Sequence, residues 1–390
     1  MRVSALPRGI RPAPLKFALG EVPHLTLEPT RACNLSCRLC YTLDKGRVKS
    51  LPEIREELDL ARRRRRLQAV TVVGGEPTLH DGIVDVVREI KRRGLACQLL
   101  SNGVRFLPQA GEGLLRDLID AGLDKLAFHV DGGQGHRDVE AVRERLFGLC
   151  EAARLLFSLS LTVYSECEDE IPSLARRYAR YRYFDGVLAV LGREPGRLGP
   201  HGPTLEAQRR HIASGLGVEP AGYVPSSAGD DEAFWLVYFY FIRADTGRTF
   251  GLSPRLHRAG RAAGRRLTGR HWLVPLFDPG RAATRFLFLG ALEVLLAPRR
   301  LGAFLGMLRG PGALAALRSH YIAIQRPPET DPATGELVLC FHCPDATVRH
   351  GRITPVCLAD FVRPFDGLGP RERLHARWLR TVDDHLGEHD

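Results

Sequence analysis

The chain has 390 residues, of which 44% are hydrophobic and 26% charged, and it carries a formal net charge of +11. This balance excludes a disordered chain and a multi-span membrane protein, and suits one large globular domain with appendages or two domains. The positive charge is arginine spread along the whole chain rather than a basic stripe interleaved with aromatics, so nucleic acid is not an expected partner.

Residues 1–21 form a tail punctuated by Pro7, Pro12 and Pro14, without an apolar signal segment. From 22 to 192, apolar runs at 24–28, 69–73, 96–100, 125–130, 155–164 and 186–191 predict strands. Between them a 3.6-residue apolar period predicts helices, as in Ile83, Val86, Val87 and Ile90. Five arginines at 62–66 end the first helix and are expected to be a solvated end that complements the helix dipole. The repeated alternation predicts an α/β fold, a partial (β/α)6 TIM-like barrel of parallel strands with a smaller C-terminal cysteine-bearing extension. Chemistry in such folds gathers at the C-terminal ends of the strands. Those ends carry Cys33, Gly74-Gly75-Glu76-Pro77, Ser101-Asn102-Gly103, His129 with Asp131, and Ser165 with Glu166.

Residues 193–232 are rich in Gly and Pro and read as a linker with a short helix at 204–213. In the region 233–335, an aromatic strand at 234–242, a turn at 244–247 and a return strand at 248–252 predict a β-hairpin. The remainder is expected to be helical, with apolar runs at 286–297, 301–308 and 313–322, each too short to cross a bilayer. Arginines flank these runs. The pattern suits ordinary helices packed on the barrel, or a peripheral membrane contact with basic residues in the headgroup layer. Residues 336–390 hold the last cysteines and a terminal helix at 371–385.

Six of the nine cysteines fall into two tight groups, which predicts metal in a reducing cytoplasm rather than disulfides. Cys97 and Cys150 are expected as small buried hydrophobes. Cys33, Cys37 and Cys40 form C-x3-C-x2-C on the loop leaving the first strand. Thiolates suit soft iron, and three of them leave one iron of a cubane open. A structural zinc completed by His80 or His129 is the competing reading.

C-x3-C-x2-C after a first strand resembles the radical S-adenosylmethionine (SAM) superfamily, and Gly74-Gly75-Glu76-Pro77 is similar to that family's GGEP motif. The resemblance covers 22–192 and implies a [4Fe–4S] cluster on Cys33, Cys37 and Cys40. It also implies SAM held by Gly74, Gly75 and Glu76, with Ser101, Asn102, His129 and Asp131 as further polar contacts. Glu76 would be an acceptor for an ammonium. Where the family commonly has an aromatic residue before the third cysteine, this chain has Leu39.

Cys340, Cys343 and Cys357 form C-x2-C-x13-C, with two short strands at 346–349 and 352–356 joined at His350-Gly351. The pattern resembles the twitch and SPASM auxiliary-cluster extensions of that superfamily and implies a second iron–sulfur cluster, with His342, His350 or Cys167 as a possible fourth ligand. A zinc knuckle is the bland alternative. Together these features predict a cytoplasmic radical SAM enzyme served by a one-electron donor such as flavodoxin or ferredoxin. Its unidentified substrate is expected to be small or lipid-like. A peptide- or protein-modifying enzyme and a non-catalytic iron–sulfur protein are the alternatives.

Overall fold

The computed structural model describes residues 12–42, 45–167, 169–192, 202–227, 229–268, 276–330, 337–340 and 342–358. A short β1 (Ala13–Pro14) precedes β2 (His24–Thr30), after which helices and strands alternate. They are α1 (Leu51–Arg64), β3 (Ala69–Gly74), α2 (Ile83–Arg92), β4 (Ala96–Ser101), α3 (Gly111–Asp120) and β5 (Lys125–His129). Then come α4 (Val139–Ala152), β6 (Leu156–Val163), α5 (Glu170–Tyr178) and β7 (Phe184–Leu191). Strands β2 to β7 pair in parallel in chain order, as expected of the barrel.

Side-chain alternation positions this sheet. On β2, Leu25 and Leu27 join Ile54 and Leu58 of α1 in the core, while His24, Thr26, Glu28 and Thr30 alternate to the other face. Helix α1 starts at a capping box in which Ser50 Oγ accepts from Glu53 N and Glu53 accepts from Ser50 N at 2.7 Å. That box fixes the far end of the cysteine-bearing loop. The arginine run closes α1, but Arg65 is not solvated: it is buried and donates to His24 O at 3.0 Å. Cys97 and Cys150 are buried, as expected.

Beyond β7 the expected linker is more structured than its composition suggests. It contains α6 (Leu205–Leu216), then β8 (Gly222–Ser226) and the start of β9 (Gly229–Arg243). Strand β10 (Thr249–Gly251) completes the expected hairpin with β9. Three helices follow, α7 (Pro254–Thr268), α8 (Ala282–Leu296) and α9 (Leu301–Leu308). The third apolar run is not a helix. Most of it is β11 (Leu317–Gln325), parallel to β7 and antiparallel to β9. A central strand covered on both faces has no simple alternation, and its period is not separable from that of a buried helix. The result is one sheet in the order β1-β8-β9-β11-β7-β6-β5-β4-β3-β2.

After the short pair β12 (Glu329–Thr330) and β13 (Leu337–Val338) comes the expected C-terminal hairpin, β14 (Ala346–Arg349) and β15 (Arg352–Pro355). Its turn places His350 and Gly351 at φ of 49° and 77°. This segment reaches both edge regions of the sheet. Leu339 O accepts from Ser227 N at 2.8 Å just beyond β8, whereas Pro344 O lies 2.9 Å from His24 Nδ1 on β2. The terminal helix expected at 371–385 lies outside the described residues. Among the described residues, no helix is long and apolar enough to cross a membrane.

Candidate active site

The loop carrying Cys33, Cys37 and Cys40 leaves β2 and is tied down by main-chain hydrogen bonds. Arg31 N donates to Arg47 O at 2.7 Å and Lys49 N to Pro29 O at 2.8 Å, closing the loop on itself. Gly75 N donates to Thr30 O at 3.0 Å, Glu76 N to Ala32 O at 2.7 Å, and Arg38 N to Gly133 O at 3.0 Å. The loop is thereby fixed to the ends of β3 and β5. The glycine pair makes the first contact possible: Gly74 has φ +136°, and a Cβ on Gly75 would stand 2.3 Å from the carbonyl oxygens of Arg31 and Ala32.

Glu76 is a buried bracket between two of these loops. Its Oε1 accepts from Thr78 N at 3.1 Å, Thr78 Oγ1 at 2.6 Å and Ser101 Oγ at 2.8 Å, and its Oε2 from Asn102 N at 2.7 Å. Burial pushes its carboxyl up from the ordinary value, against these donors. Ser101 is used in the bracket. Asn102 turns to the cysteine loop, with Nδ2 2.8 Å from Asn34 Oδ1 and 3.9 Å from Cys33 Sγ.

His129 and Asp131 form one unit, Nε2 to Oδ2 at 3.0 Å, with Ser160 Oγ 3.2 Å from the other ring nitrogen. Asp131 also accepts from Gly133 N and Thr162 N, each at 2.8 Å. Burial opposes ionisation of Asp131, but His129 and the two amides outweigh it and hold the carboxyl down at about 2. An anion therefore sits beside the cysteine loop at neutral pH.

The Cys37 thiol is pushed up to about 11, by burial first and then by Cys40, Cys33 and Asp131. The three thiols thus sense one another. Among the described residues, no three Cys, His, Asp or Glu side chains converge as ligands of a single ion. A cubane offers each thiolate its own iron, so it tolerates a wider spread than zinc does. Neither histidine suggested for zinc is free. His80 Nε2 lies 2.8 Å from Lys49 O while Nδ1 accepts from Gly82 N at 3.1 Å, and both nitrogens of His129 are engaged. The donor set fits an iron–sulfur cluster with an open iron. Leu39 reaches toward the end of β7, where a Cβ on Gly192 would lie 3.0 Å from Leu39 Cδ1.

Arg38 and Tyr164, and inside the sheet Lys125, Asp185 and Tyr321, were not singled out in the sequence. Arg38 pairs with Glu166 at 2.6 Å and stacks over Tyr164 at 5.4 Å, beside a surface cavity of about 440 Å³ that also exposes Cys167. Within the sheet, Lys125 lies 2.7 Å from Asp185 and 3.3 Å from Tyr321 Oη, all buried. The Ser158, Ser160 and Thr162 alternation in β6 was the available signal for a polar inner face.

The second cysteine group lies at the other end of β2. Cys340 and Cys343 are joined as a disulfide with Cα atoms 5.0 Å apart, and Cys357 is a free thiol. Val356 N donates to Asp345 O at 2.9 Å, which brings Cys357 back to the start of the hairpin. Burial and then Asp345 push the Cys357 thiol up to about 12. Of the fourth ligands considered, His342 Nδ1 contacts Phe17 O at 2.6 Å and His350 occupies the far tip of the hairpin. Cys167 lines the cavity beside Arg38.

The chain is similar to known proteins over part of its length. Over 112 residues the chain is 32% identical to the tungsten-containing aldehyde ferredoxin oxidoreductase cofactor-modifying protein of Pyrococcus furiosus, covering 28% of this chain and 30% of that one. A probable GTP 3′,8-cyclase of Pyrococcus abyssi is 32% identical over 113 residues, 28% of this chain and 35% of that one. The chain thus spans about a third of the length of these curated relatives. Among solved structures, SuiB of Streptococcus suis bound to S-adenosylmethionine is similar over 53% of this chain and 49% of that one, with 14% identity and a TM-score of 0.40. Residues 27–155, which include the cysteine loop and the Glu76 bracket, match the Radical SAM superfamily, a family of enzymes, and the chain therefore carries a radical SAM superfamily domain.

Proposed function

We propose that this chain is a radical SAM enzyme in which Cys33, Cys37 and Cys40 hold one [4Fe–4S] cluster and the loops after β3, β4 and β5 hold SAM. When bound, such a cluster supplies the electron that splits the S–C5′ bond of SAM into methionine and a 5′-deoxyadenosyl radical, which takes a hydrogen from the substrate. The residues bind, orient and shield. Gly74 and Gly75 let the main chain approach the cysteine loop, and Asn102 faces Cys33. Glu76 and Ser101 hold the loops in register, so Glu76 contributes as a positioning residue before any contact with an ammonium. His129 and Asp131 form the polar wall, and Leu39 against Gly192 an apolar one. No general base is needed to begin turnover.

The observation that carries this reading is a three-thiol loop fastened to Gly75, Glu76 and Gly133 with neither nearby histidine free for zinc. Anaerobic reconstitution with iron and sulfide, followed by SAM and dithionite, tests it. 5′-Deoxyadenosine should form in wild type and vanish in Cys37→Ala. Zinc in the purified site, or no 5′-deoxyadenosine from wild type, would overturn the reading.

A second iron–sulfur cluster on Cys340, Cys343 and Cys357 in the reduced chain belongs to the same proposal, as does a flavodoxin- or ferredoxin-type electron donor. The return of Cys357 to the start of the hairpin supports the cluster. For the substrate we favour a small or lipid-like molecule over a peptide. The described N-terminal segment is taken up in the sheet edge, with Leu15 N donating to Tyr223 O at 2.7 Å.

A further inference from the structure

Helix α8 is apolar all round, which in a folded protein calls for cover on every side. One side has it: Phe286 is buried with Phe241, Phe250 and Met307. The other side is open. Leu287, Phe288, Leu295 and Leu296 of α8 are 41%, 65%, 76% and 47% exposed, and Leu301 and Leu305 of α9 continue the patch at 47% and 46%. Apolar residues exposed singly need no explanation, but a contiguous patch on two adjoining helices marks a contact surface.

Charge identifies what the surface meets. The one acidic residue of α8, Glu293, is fully buried and paired with Arg300 at 2.5 Å, so the open face of α8 carries no negative charge. Between Pro254 and Ala316 the sequence has eleven arginines and two acidic residues. The other acid, Asp278, is paired with Arg281 at 3.3 Å. Helix α7 packs against α8 and exposes Arg255, Arg258 and Arg266, with the 85% exposed Leu267 at its end, while Arg265 pairs with Glu21 at 2.7 Å. Helix α7 has no acidic residue, so a two-fold copy of this surface would bring arginine rims together without a carboxylate from the facing helix. Anionic headgroups satisfy such a rim while the apolar face enters the acyl boundary.

We infer that the open face of α8 and α9, bordered by the arginines of α7, is a peripheral docking surface for an anionic lipid bilayer. Helix α8 has 15 residues, so it lies on the bilayer rather than crossing it. The inference does not depend on the catalytic reading.

Co-sedimentation of the full chain with vesicles of phosphatidylcholine, alone or mixed with phosphatidylglycerol, tests it. Wild type should bind the mixed vesicles, less so as salt rises. The double variant Phe288→Asp/Leu295→Asp should bind about tenfold more weakly or less. Both positions are exposed, and an unchanged melting temperature shows that the fold is kept. Arg255→Gln/Arg258→Gln/Arg266→Gln, which leaves the apolar face intact, should reduce the salt dependence. No preference for the anionic vesicles overturns the inference, as does equal binding by the aspartate variant. A wild-type dimer in light scattering that the same aspartates convert to monomer also overturns it, because a second copy then covers the face.

Discussion

Arg349 Nη2 lies 2.7 Å from Glu28 Oε2 in a buried ion pair whose partners are 321 residues apart in sequence. The guanidinium comes from the C-terminal hairpin and the carboxylate from the first barrel strand. Glu28 precedes Thr30, the residue whose carbonyl receives Gly75 N, and the cysteine loop begins directly beyond. The seat of the hairpin and the root of the candidate cluster loop therefore share one strand.

Removing one partner of this pair should be costly. Arg349→Met leaves a buried carboxylate uncompensated and is expected to destabilise the chain by roughly 3–5 kcal/mol. The double variant Glu28→Gln/Arg349→Met should recover a large part of that loss, since it leaves no buried charge alone. Urea unfolding of the three proteins measures both effects. A single-variant loss within experimental error would show that the hairpin is not seated on β2 through this contact.

Gly75→Ala should act on the cysteine loop rather than on the barrel. The added methyl would sit 2.3 Å from two carbonyl oxygens, so the loop or the end of β3 must move. The expected outcome is a chain that folds with a lowered melting temperature, retains little iron after anaerobic reconstitution and forms little 5′-deoxyadenosine. Iron content equal to wild type would mean that the loop tolerates the displacement. Glu76→Gln offers a milder version, because an amide nitrogen would face donors that now meet a carboxylate oxygen. A loss of about 1–3 kcal/mol is expected from urea unfolding.

The barrel was legible because its signals are local. Leu25 and Leu27 alternate with polar residues, and α2 repeats its apolar stripe at the helical period. Each motif followed directly on a strand. The partnerships were not legible. The sequence around Glu76 does not show that its carboxylate is taken by Ser101 and Asn102, or that His80 is held by Lys49 O. Strand β11 was hidden for the same reason. Leu317–Gln325 is a strand only because β7 and β9 pair with it on either side, and a helical reading of its apolar run violates no local rule. Arg65 looked like its exposed neighbours, and only the approach of His24 O made it a buried donor.

The second cysteine group makes a stoichiometric prediction. If Cys340, Cys343 and Cys357 hold a cluster in the reduced chain, Cys340→Ala should lower iron and sulfide by about half relative to wild type after identical reconstitution. 5′-Deoxyadenosine formation from SAM should survive, since the first cluster loop is untouched. Unchanged iron with one equivalent of zinc would assign the group to a structural knuckle instead. Unchanged iron without zinc would leave Cys340 and Cys343 as the disulfide pair of the structure.

A buried histidine should shape the acid limb of stability. His320 on β11 lies edge-on to Phe184 and Tyr240, with ring centroids 5.2 and 5.7 Å away. Burial, and then the positive charge of Arg318, lower its pKa to about 3. In the unfolded chain a histidine takes up its proton near pH ~6.5. Between these values the unfolded state binds a proton that the folded state refuses, so stability rises with pH and falls as acid is added. The contribution is fully present above the unfolded value and has a slope of up to about 1.4 kcal/mol per pH unit below it. His257 on α7, lowered to about 4 by burial and then by Arg261, acts in the same direction. His320→Phe keeps an aromatic ring between Phe184 and Tyr240 and removes the titrating group. Relative to wild type, the variant should gain stability at about pH 5 over its standing at about pH 7.5. Urea midpoints at the two pH values measure that difference, and parallel pH profiles for the two proteins would show that His320 is not held neutral by the fold.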